Sequence, residues 1–457
     1  MIHNYIKVAS RNIVKRKMYS FINAFGLSIG IAFCILIFLF IRDEKSFDQF
    51  HANKTNLFRI ESRWFNTWDP KATERFHGDA WLQTGMLPAL KGDIPEIEFG
   101  TRFNSSTGIL TVGEKVFKEK IVYVDADFFR MFSFKMTAGN PDKVFQKKEE
   151  IVLTPAIAEK YFGNEDPIGK TFLLADGEGG QKPLTVTGLI EPPPANSSLD
   201  FAILIPQENR PGYERNLAKF GNFNTATFVQ LVPNTDLKKF QLNLDKTVEK
   251  VMSRQLKRDR EESVVPVPDD VKVFQLQFTN IADIHLKKEV GWEKVSDPQY
   301  SLILGGIALL ILIIACINYV SLALTTSASR RTEVGIRKVV GAQKKQLIYQ
   351  FGFESIMLAM ISMIIGIGMA FVFLPSFNEF TKKAIQLDVP AVMLAVTVSF
   401  LLALVVGVLA GSYPALFLSR FRPAAVLKGG FTSRLQAGFT KPLVVLQFSL
   451  SAFLIIS

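Results

Sequence analysis

Four stretches of the chain are long and almost wholly apolar. Residues 19–41, 301–325, 347–374 and 392–417 each hold more than twenty residues with at most one ionisable side chain. At 1.5 Å of rise per residue, each is long enough to cross a hydrocarbon core of about 30 Å as a helix. A fifth apolar run begins near Pro442 and reaches Ser457, so residues 442–457 are expected to start a further span. Residues 1–18 carry five basic side chains and form the flank of the first run, not the amino-terminal region of a cleaved signal. The apolar run 19–41 is too long for a cleaved signal and no small-residue cleavage site follows it, which predicts an uncleaved anchor.

The segment 42–300 has a different pattern. Apolar and polar positions alternate over Thr55 to Glu61 and over Lys115 to Val124, the second run facing its partner across Val112-Gly113-Glu114 as a hairpin. Asp79 to Lys91 and Asp236 to Arg258 show helical spacing. Pro192-Pro193-Pro194 and Val264 to Asp270 read as rigid connectors. The expected fold class is therefore a membrane α-helical bundle, four complete spans plus the start of a fifth, with a large α+β extracytoplasmic domain.

Charge gives the orientation. Residues 1–18 carry five basic side chains and no acid, 326–346 carry six against Glu333, and 418–441 carry five against none. These three segments hold a net +15 in a chain whose total is +11, so everything else sums to −4. By the positive-inside rule all three lie in the cytoplasm, which leaves 42–300 and the short loop 375–391 outside. A bacterial inner-membrane protein with a cytoplasmic amino terminus and a periplasmic domain satisfies every loop. The same placement assigns the basic residues to topology and lipid headgroups and excludes nucleic acid as their partner.

Candidate chemistry is sparse. Cys34 and Cys316 both sit inside apolar spans, and His3, His51, His77 and His285 lack metal-ligand spacing, so neither a disulfide framework nor a metal site is expected. Gly163-Asn-Glu-Asp-Pro-Ile-Gly169-Lys170-Thr171 imitates a phosphate loop but has five residues between its glycines where the cradle needs four, and it reads as a turn on Pro167 and Gly169. No local catalytic constellation appears, and no cofactor is expected. Within the spans Glu354 is the sole ionisable residue and Asn318 the main other polar one; both are read as interhelical or capping hydrogen-bond formers, since an ion-coupled carrier needs ligands at mid-membrane. Gly26 and Gly30, Gly407 and Gly411 have the spacing that lets helices pack closely.

The most informative cytoplasmic stretch continues the second span, pauses at Gly341-Ala342 and restarts toward the third. Its core, Glu333-Val-Gly335-Ile336-Arg337-Lys338-Val-Val-Gly341-Ala342, resembles the cytoplasmic signature of the MacB/FtsX-like ABC transporter permeases. Phe128-Phe129-Arg-Met-Phe132, Ala158-Glu-Lys-Tyr-Phe-Gly163 and Asp166-Pro-Ile-Gly-Lys170 resemble that family's periplasmic core domain, and Ala410-Gly-Ser-Tyr-Pro-Ala415 with Pro423-Ala-Ala-Val-Leu-Lys428 resembles the end of its fourth span. The resemblance implies a non-catalytic permease subunit whose partner is a separate cytoplasmic ABC ATPase. It places Glu333, Gly335, Ile336, Arg337, Lys338, Gly341 and Ala342 at the ATPase contact. It also implies an amphipathic amino-terminal helix over residues 1–18, where Tyr5 to Lys17 resembles the family's membrane-surface helix, a permease dimer, a periplasmic or outer-membrane partner, and work on cargo by efflux, lipoprotein extraction or control of an envelope enzyme. Lys441-Pro-Leu-Val-Val-Leu-Gln-Phe448 resembles the start of a repeated second half in eight-span members, so the chain is expected to be the amino-terminal portion of such a protein.

Two other classes compete. A membrane-anchored receptor would use the large outer segment for recognition but needs a cytoplasmic output domain, for which inside loops of about 20 residues leave no room. A membrane-tethered envelope hydrolase would need a triad assembled from distant residues of 42–300.

Overall fold

The computed structural model describes residues 2–175, 180–218, 220, 222–329, 336–337, 339–387, 389–419 and 434–456, with 2–5, 323–329, 344, 410–419 and 434–440 as backbone only. The chain divides into two units, Met1–Asp43 with Gln299–Ser457, and Glu44–Pro298.

The first unit is helical. It contains α1 (Ile2–Lys15), most of α2 (Lys17–Ser46), α8 (Pro298–Ser329), α9 (Lys344–Thr381), α10 (Val389–Ser419) and α11 (Arg434–Ile456). Among the described residues, four helices are long and apolar enough to cross a membrane, and α11 carries a shorter apolar stretch at Lys441–Ile456. The third span runs on through Pro375 to Thr381, past the expected boundary at 374, and ends at Lys382 in the left-handed region with φ 53°. Its core is formed by Leu27, Ile31, Leu358, Ala359, Ala370 and Ala403 from α2, α9 and α10.

The second unit is a twelve-stranded mixed sheet with the longer helices on one face and the short helix at Phe128–Met131 on the other. Its strands are β1 (Leu57–Phe65), β2 (Phe76–Asp79), β3 (Trp81–Gln83), β4 (Ile97–Val112), β5 (Lys115–Val124), β6 (Met136–Ala138), β7 (Glu150–Leu153), β8 (Thr171–Ala175), β9 (Gln181–Ile190), β10 (Ile203–Pro206), β11 (Phe223–Leu231) and β12 (Phe274–Asn280). The main path is β12-β1-β11-β4-β5-β10-β7-β9-β6, with β2 on β1, β3 on β11, and β8 on β4 and β9. The β4–β5 pair closes through Val112 opposite Lys115, as the two-residue Gly113-Glu114 turn requires, with Gly113 at φ 56°.

Period-2 alternation along β4, β5 and β11 gives the sheet two different faces. Phe103, Val122, Val124 and Phe228 point to one side and bury Phe128, Phe132, Phe201 and Trp292. On the other side lie two separate apolar cores. One packs Phe58, Ile60, Val229 and Leu231 under α3 (Met86–Asp93) and α7 (Leu237–Glu261). The other packs Leu110, Ile121, Ile151 and Ile203 under α5 (Pro155–Phe162). Two short helices, α4 (Phe128–Met131) and α6 (Tyr213–Leu217), complete the unit.

Asp79 to Lys91 is not one helix. Phe76–Asp79 and Trp81–Gln83 are strands, and the helix starts only at Met86. Trp81 and Leu82 pair with Ala226 and Thr225, and that sheet pairing outweighs the local helical spacing. The helix expected at Asp236 to Arg258 runs from Leu237 to Glu261, and the Asp236 carboxylate caps it by accepting from the Lys238 and Lys239 amides. The imitation phosphate loop is a turn: the Ile168 amide donates to Asp166 Oδ1 at 3.0 Å, the Lys170 amide to the Pro167 carbonyl at 3.1 Å, and Gly169 sits at φ 81°. The Lys170 ammonium there pairs with the Glu165 carboxylate.

Candidate functional site

The described part of the segment between α8 and α9 is built as a short turn and a restart. Residues 336–337 and 339 are helical, the Val340 amide donates to the Ile336 carbonyl at 3.0 Å, and the Ala342 amide to the Arg337 carbonyl at 2.9 Å. Gly341 stops the turn at φ 101°, a conformation that a side chain disfavours. Gln343 then opens α9 with a capping box, its amide donating to Gln346 Oε1 at 3.0 Å. The pause and restart read from the sequence thus have a backbone cause.

The side chains on this turn divide by chemistry. Arg337 Nη1 donates to Gln350 Oε1 of α9 at 2.9 Å, which ties the turn to the span. Ile336, Val339 and Val340 are 54%, 63% and 82% exposed and form an apolar knob at helical spacing. Among the described residues this cluster is a candidate contact surface. Ala342 is half-buried beside them. Glu333, Gly335 and Lys338 lie outside the described residues. Of this knob the sequence reading names Ile336 but not Val339 or Val340, because the charges dominate that stretch.

Glu354 lies in α9 and accepts a long hydrogen bond of 3.5 Å from Asn12 Nδ2, so this half-buried carboxylate joins the amphipathic α1 to the third span.

The glycines pack helix on helix. A Cβ on Gly26 would lie 3.6 Å from Asn318 Nδ2, and one on Gly30 would lie 3.1 Å from Ala315 Cβ, so both face α8. A Cβ on Gly407 would come within 2.9 Å of Ile356 Cα in α9. Gly411 belongs to the part of α10 described by backbone alone. The tightest approach to α2 is at Gly366, where a Cβ would stand 2.9 Å from the Ser28 carbonyl; Ser28 Oγ also donates to the Ser362 carbonyl at 2.9 Å. Gly366→Val is expected to destabilise the helical unit by about 1–3 kcal/mol, by overpacking against backbone. Gly368→Val meets nothing within 4 Å and is expected to be near neutral. Thermal unfolding of the two variants in detergent, read by helical circular dichroism, separates them; equal midpoints would remove the packing argument.

An α+β domain inserted between the first two of four helices long and apolar enough to span a membrane, with a capped turn between the second and third, defines a multi-pass membrane protein of the transporter-permease class. Two family models match successive parts of the chain, one described as MacB-like periplasmic core domain over residues 20–247 and one as FtsX-like permease C-terminal over residues 305–423. The chain belongs to the MacB/FtsX-like ABC transporter permease family. It is 24% identical over 430 residues to the macrolide export ATP-binding/permease protein MacB of Campylobacter fetus, covering 91% of this chain and 59% of that relative. It is 21% identical over 449 residues to YvrN, an ABC transporter permease of Bacillus subtilis, covering 93% of this chain and 99% of that relative. The crystal structure of the periplasmic region of MacB from Actinobacillus actinomycetemcomitans aligns with a TM-score of 0.33 at 17% identity, over 52% of this chain and 95% of that one. The chain spans about three fifths of the length of the MacB relatives of Campylobacter fetus and Aeromonas hydrophila.

Proposed function

We propose that this permease is the mechanotransmission subunit of an ABC transporter complex in the bacterial inner membrane, with its amino terminus and the 326–346 segment in the cytoplasm. A separate ATPase closes on the cytoplasmic turn, and the helices carry that movement to the periplasmic domain, which works on cargo outside the membrane. The observation that carries the reading is the apolar knob of Ile336, Val339 and Val340, exposed on a turn that Arg337 and the Gln343 cap fix to the start of α9. A knob anchored in this way transmits a push instead of absorbing it by fraying. The close glycine contacts support helices that move as packed units. In this reading Glu333, Gly335, Arg337, Lys338, Gly341 and Ala342 surround the knob at the ATPase contact, and the permease works as a dimer.

The test is ATP hydrolysis by a candidate partner ABC ATPase, with the permease reconstituted in nanodiscs. Val339→Asp/Val340→Asp places two charges on the exposed knob and leaves the spans untouched. Permease-dependent stimulation of hydrolysis is expected to fall at least about tenfold, as for loss of interface anchors worth more than about 1.4 kcal/mol. Full stimulation by this variant would refute the assignment.

A further inference from the structure

The helix-bearing face of the sheet is not apolar throughout. Between the core under α3 and α7 and the core under α5 runs a seam of polar side chains. Register fixes their neighbourhood: Asn104 faces Tyr123, Thr227 faces Arg102, and Tyr123 faces Ile205, two residues before Gln207. Cross-strand partners and their alternate neighbours share a face. The seam therefore brings Thr225 and Thr227 of β11, Arg102 and Asn104 of β4, Tyr123 of β5, and Gln207 and Arg210 of the following turn together.

One of its two arginines is fully used. Arg102 grips Asp125 through Nε at 3.0 Å and Nη2 at 2.5 Å, donates from Nη1 to the Thr84 carbonyl at 3.1 Å, and lies over the Tyr213 ring. The other is not. Arg210 donates from Nη1 to Thr225 Oγ1 at 2.8 Å, and among the described residues no carboxylate pairs with it. Gln207 is 0% exposed, yet neither its amide nitrogen nor its oxygen has a hydrogen-bond partner, and Thr227 Oγ1 is buried in the same condition. Buried polar groups are seldom left this way, and two on one seam beside an unneutralised guanidinium ask for something to fill it. Arg102, Asp125 and Arg210 together leave the seam one positive charge in excess.

We propose that this seam is a binding site for a small oxyanion, a carboxylate or phosphate group, with the Arg210 guanidinium as its charge partner and the Gln207 amide and Tyr123 hydroxyl as donors. Arginine offers such a group a planar pair of N–H donors, and the amide and phenol complete the shell. The electrostatics agree. Burial and the neighbouring Arg102 charge both disfavour the Arg210 cation, a penalty that a bound anion would relieve, and burial raises the Tyr123 phenol so that it stays a donor. This site belongs to the periplasmic domain alone and stands or falls independently of the ATPase contact.

Calorimetric titration of the full chain in zwitterionic nanodiscs with inorganic phosphate, acetate and glycerol 3-phosphate tests it. Saturable binding is expected, weakened about 10- to 100-fold in Arg210→Gln, as for loss of hydrogen bonds to a charged group. Tyr123→Phe, which keeps the ring packing, is expected to weaken it about 3- to 10-fold, and the exposed Lys118→Gln to leave it unchanged. Glycerol 3-phosphate binding tighter than acetate assigns the site to phosphate esters such as a lipid headgroup, and the reverse assigns it to carboxylates. Absence of saturable binding by all three probes means that water fills the seam and overturns the proposal. So does unaltered affinity in Tyr123→Phe, which decides the matter if Arg210→Gln does not fold.

Discussion

Glu61→Ala is expected to destabilise the periplasmic domain by about 3–5 kcal/mol and to lower the midpoint of its thermal unfolding by roughly 10 °C. Glu61 and Arg59 alternate with Ile60 along β1 and point into the Trp292 side of the sheet. Glu61 Oε1 accepts from Arg59 Nε at 3.1 Å and Nη2 at 2.7 Å, and Oε2 accepts from Lys287 Nζ at 2.5 Å. The Arg59 side chain is fully buried, its guanidinium 5.2 Å from the Trp292 ring centroid, and burial already lowers its pKa against the raising effect of Glu61. Removing the carboxylate would strand one fully buried cation and one half-buried one. The desolvation of both would remain while their shared partner was gone. Replacing the inner pair together, as Arg59→Met/Glu61→Leu, removes cation and anion at once, leaves Lys287 its 2.8 Å bond to Thr279, and is expected to cost less than about 2 kcal/mol. All four tryptophans, Trp64, Trp68, Trp81 and Trp292, lie in Glu44–Pro298, so tryptophan fluorescence of the full chain follows this unit separately from the membrane helices. A loss below about 1 kcal/mol in Glu61→Ala would mean that Arg59 finds water in the variant, and the buried-pair account would fail.

What the sequence disclosed and what it hid follow from the range of the forces involved. The four spans were legible because membrane insertion is decided by a continuous run of some twenty apolar residues, a local property. The Gly113-Glu114 hairpin and the helix after Asp236 were legible for the same reason: a two-residue turn and a capping carboxylate act within a few positions. Trp81 and Leu82 were misread because their partners, Ala226 and Thr225, lie far away in sequence and only the assembled sheet makes the strand. Ile336, Val339 and Val340 have helical spacing in the sequence, yet nothing local says that they stand exposed among the described residues. The seam was invisible for a stronger reason. Arg102, Tyr123, Gln207 and Arg210 are ordinary residues on separate elements, and only register places them side by side and leaves Gln207 without a partner.

The domain is expected to lose stability as pH falls from about 6.5 toward 4 through His51, by about 3 kcal/mol for this group. The imidazole is packed among Phe50, Phe132 and Phe134, and burial lowers its pKa to about 4. Hydrogen bonding points the same way. The Ser133 amide donates to His51 Nδ1 at 3.1 Å, so that nitrogen must be an acceptor and the ring neutral, with its proton on Nε2. A second proton on Nδ1 would set two donors face to face. In the unfolded chain the same imidazole titrates near 6.5. Between these values the unfolded state holds a proton that the folded state does not, so its contribution is fully present above about 6.5, falls as pH drops, and is spent below about 4. A difference of about 2.5 units gives the 3 kcal/mol. Asp48 acts in the opposite sense, since its Oδ1 lies 3.8 Å from His51 Nε2 and burial raises its carboxyl, so its own contribution grows as pH falls. The comparison that isolates His51 is therefore wild type against His51→Asn, whose side-chain oxygen can still accept from the Ser133 amide and which does not titrate, with Asp48 common to both. Tryptophan-monitored urea unfolding at a series of pH values should give curves that diverge by about 3 kcal/mol over this window. Parallel curves would mean that the folded protein accommodates the imidazolium, and that the Ser133 amide turns away when it does.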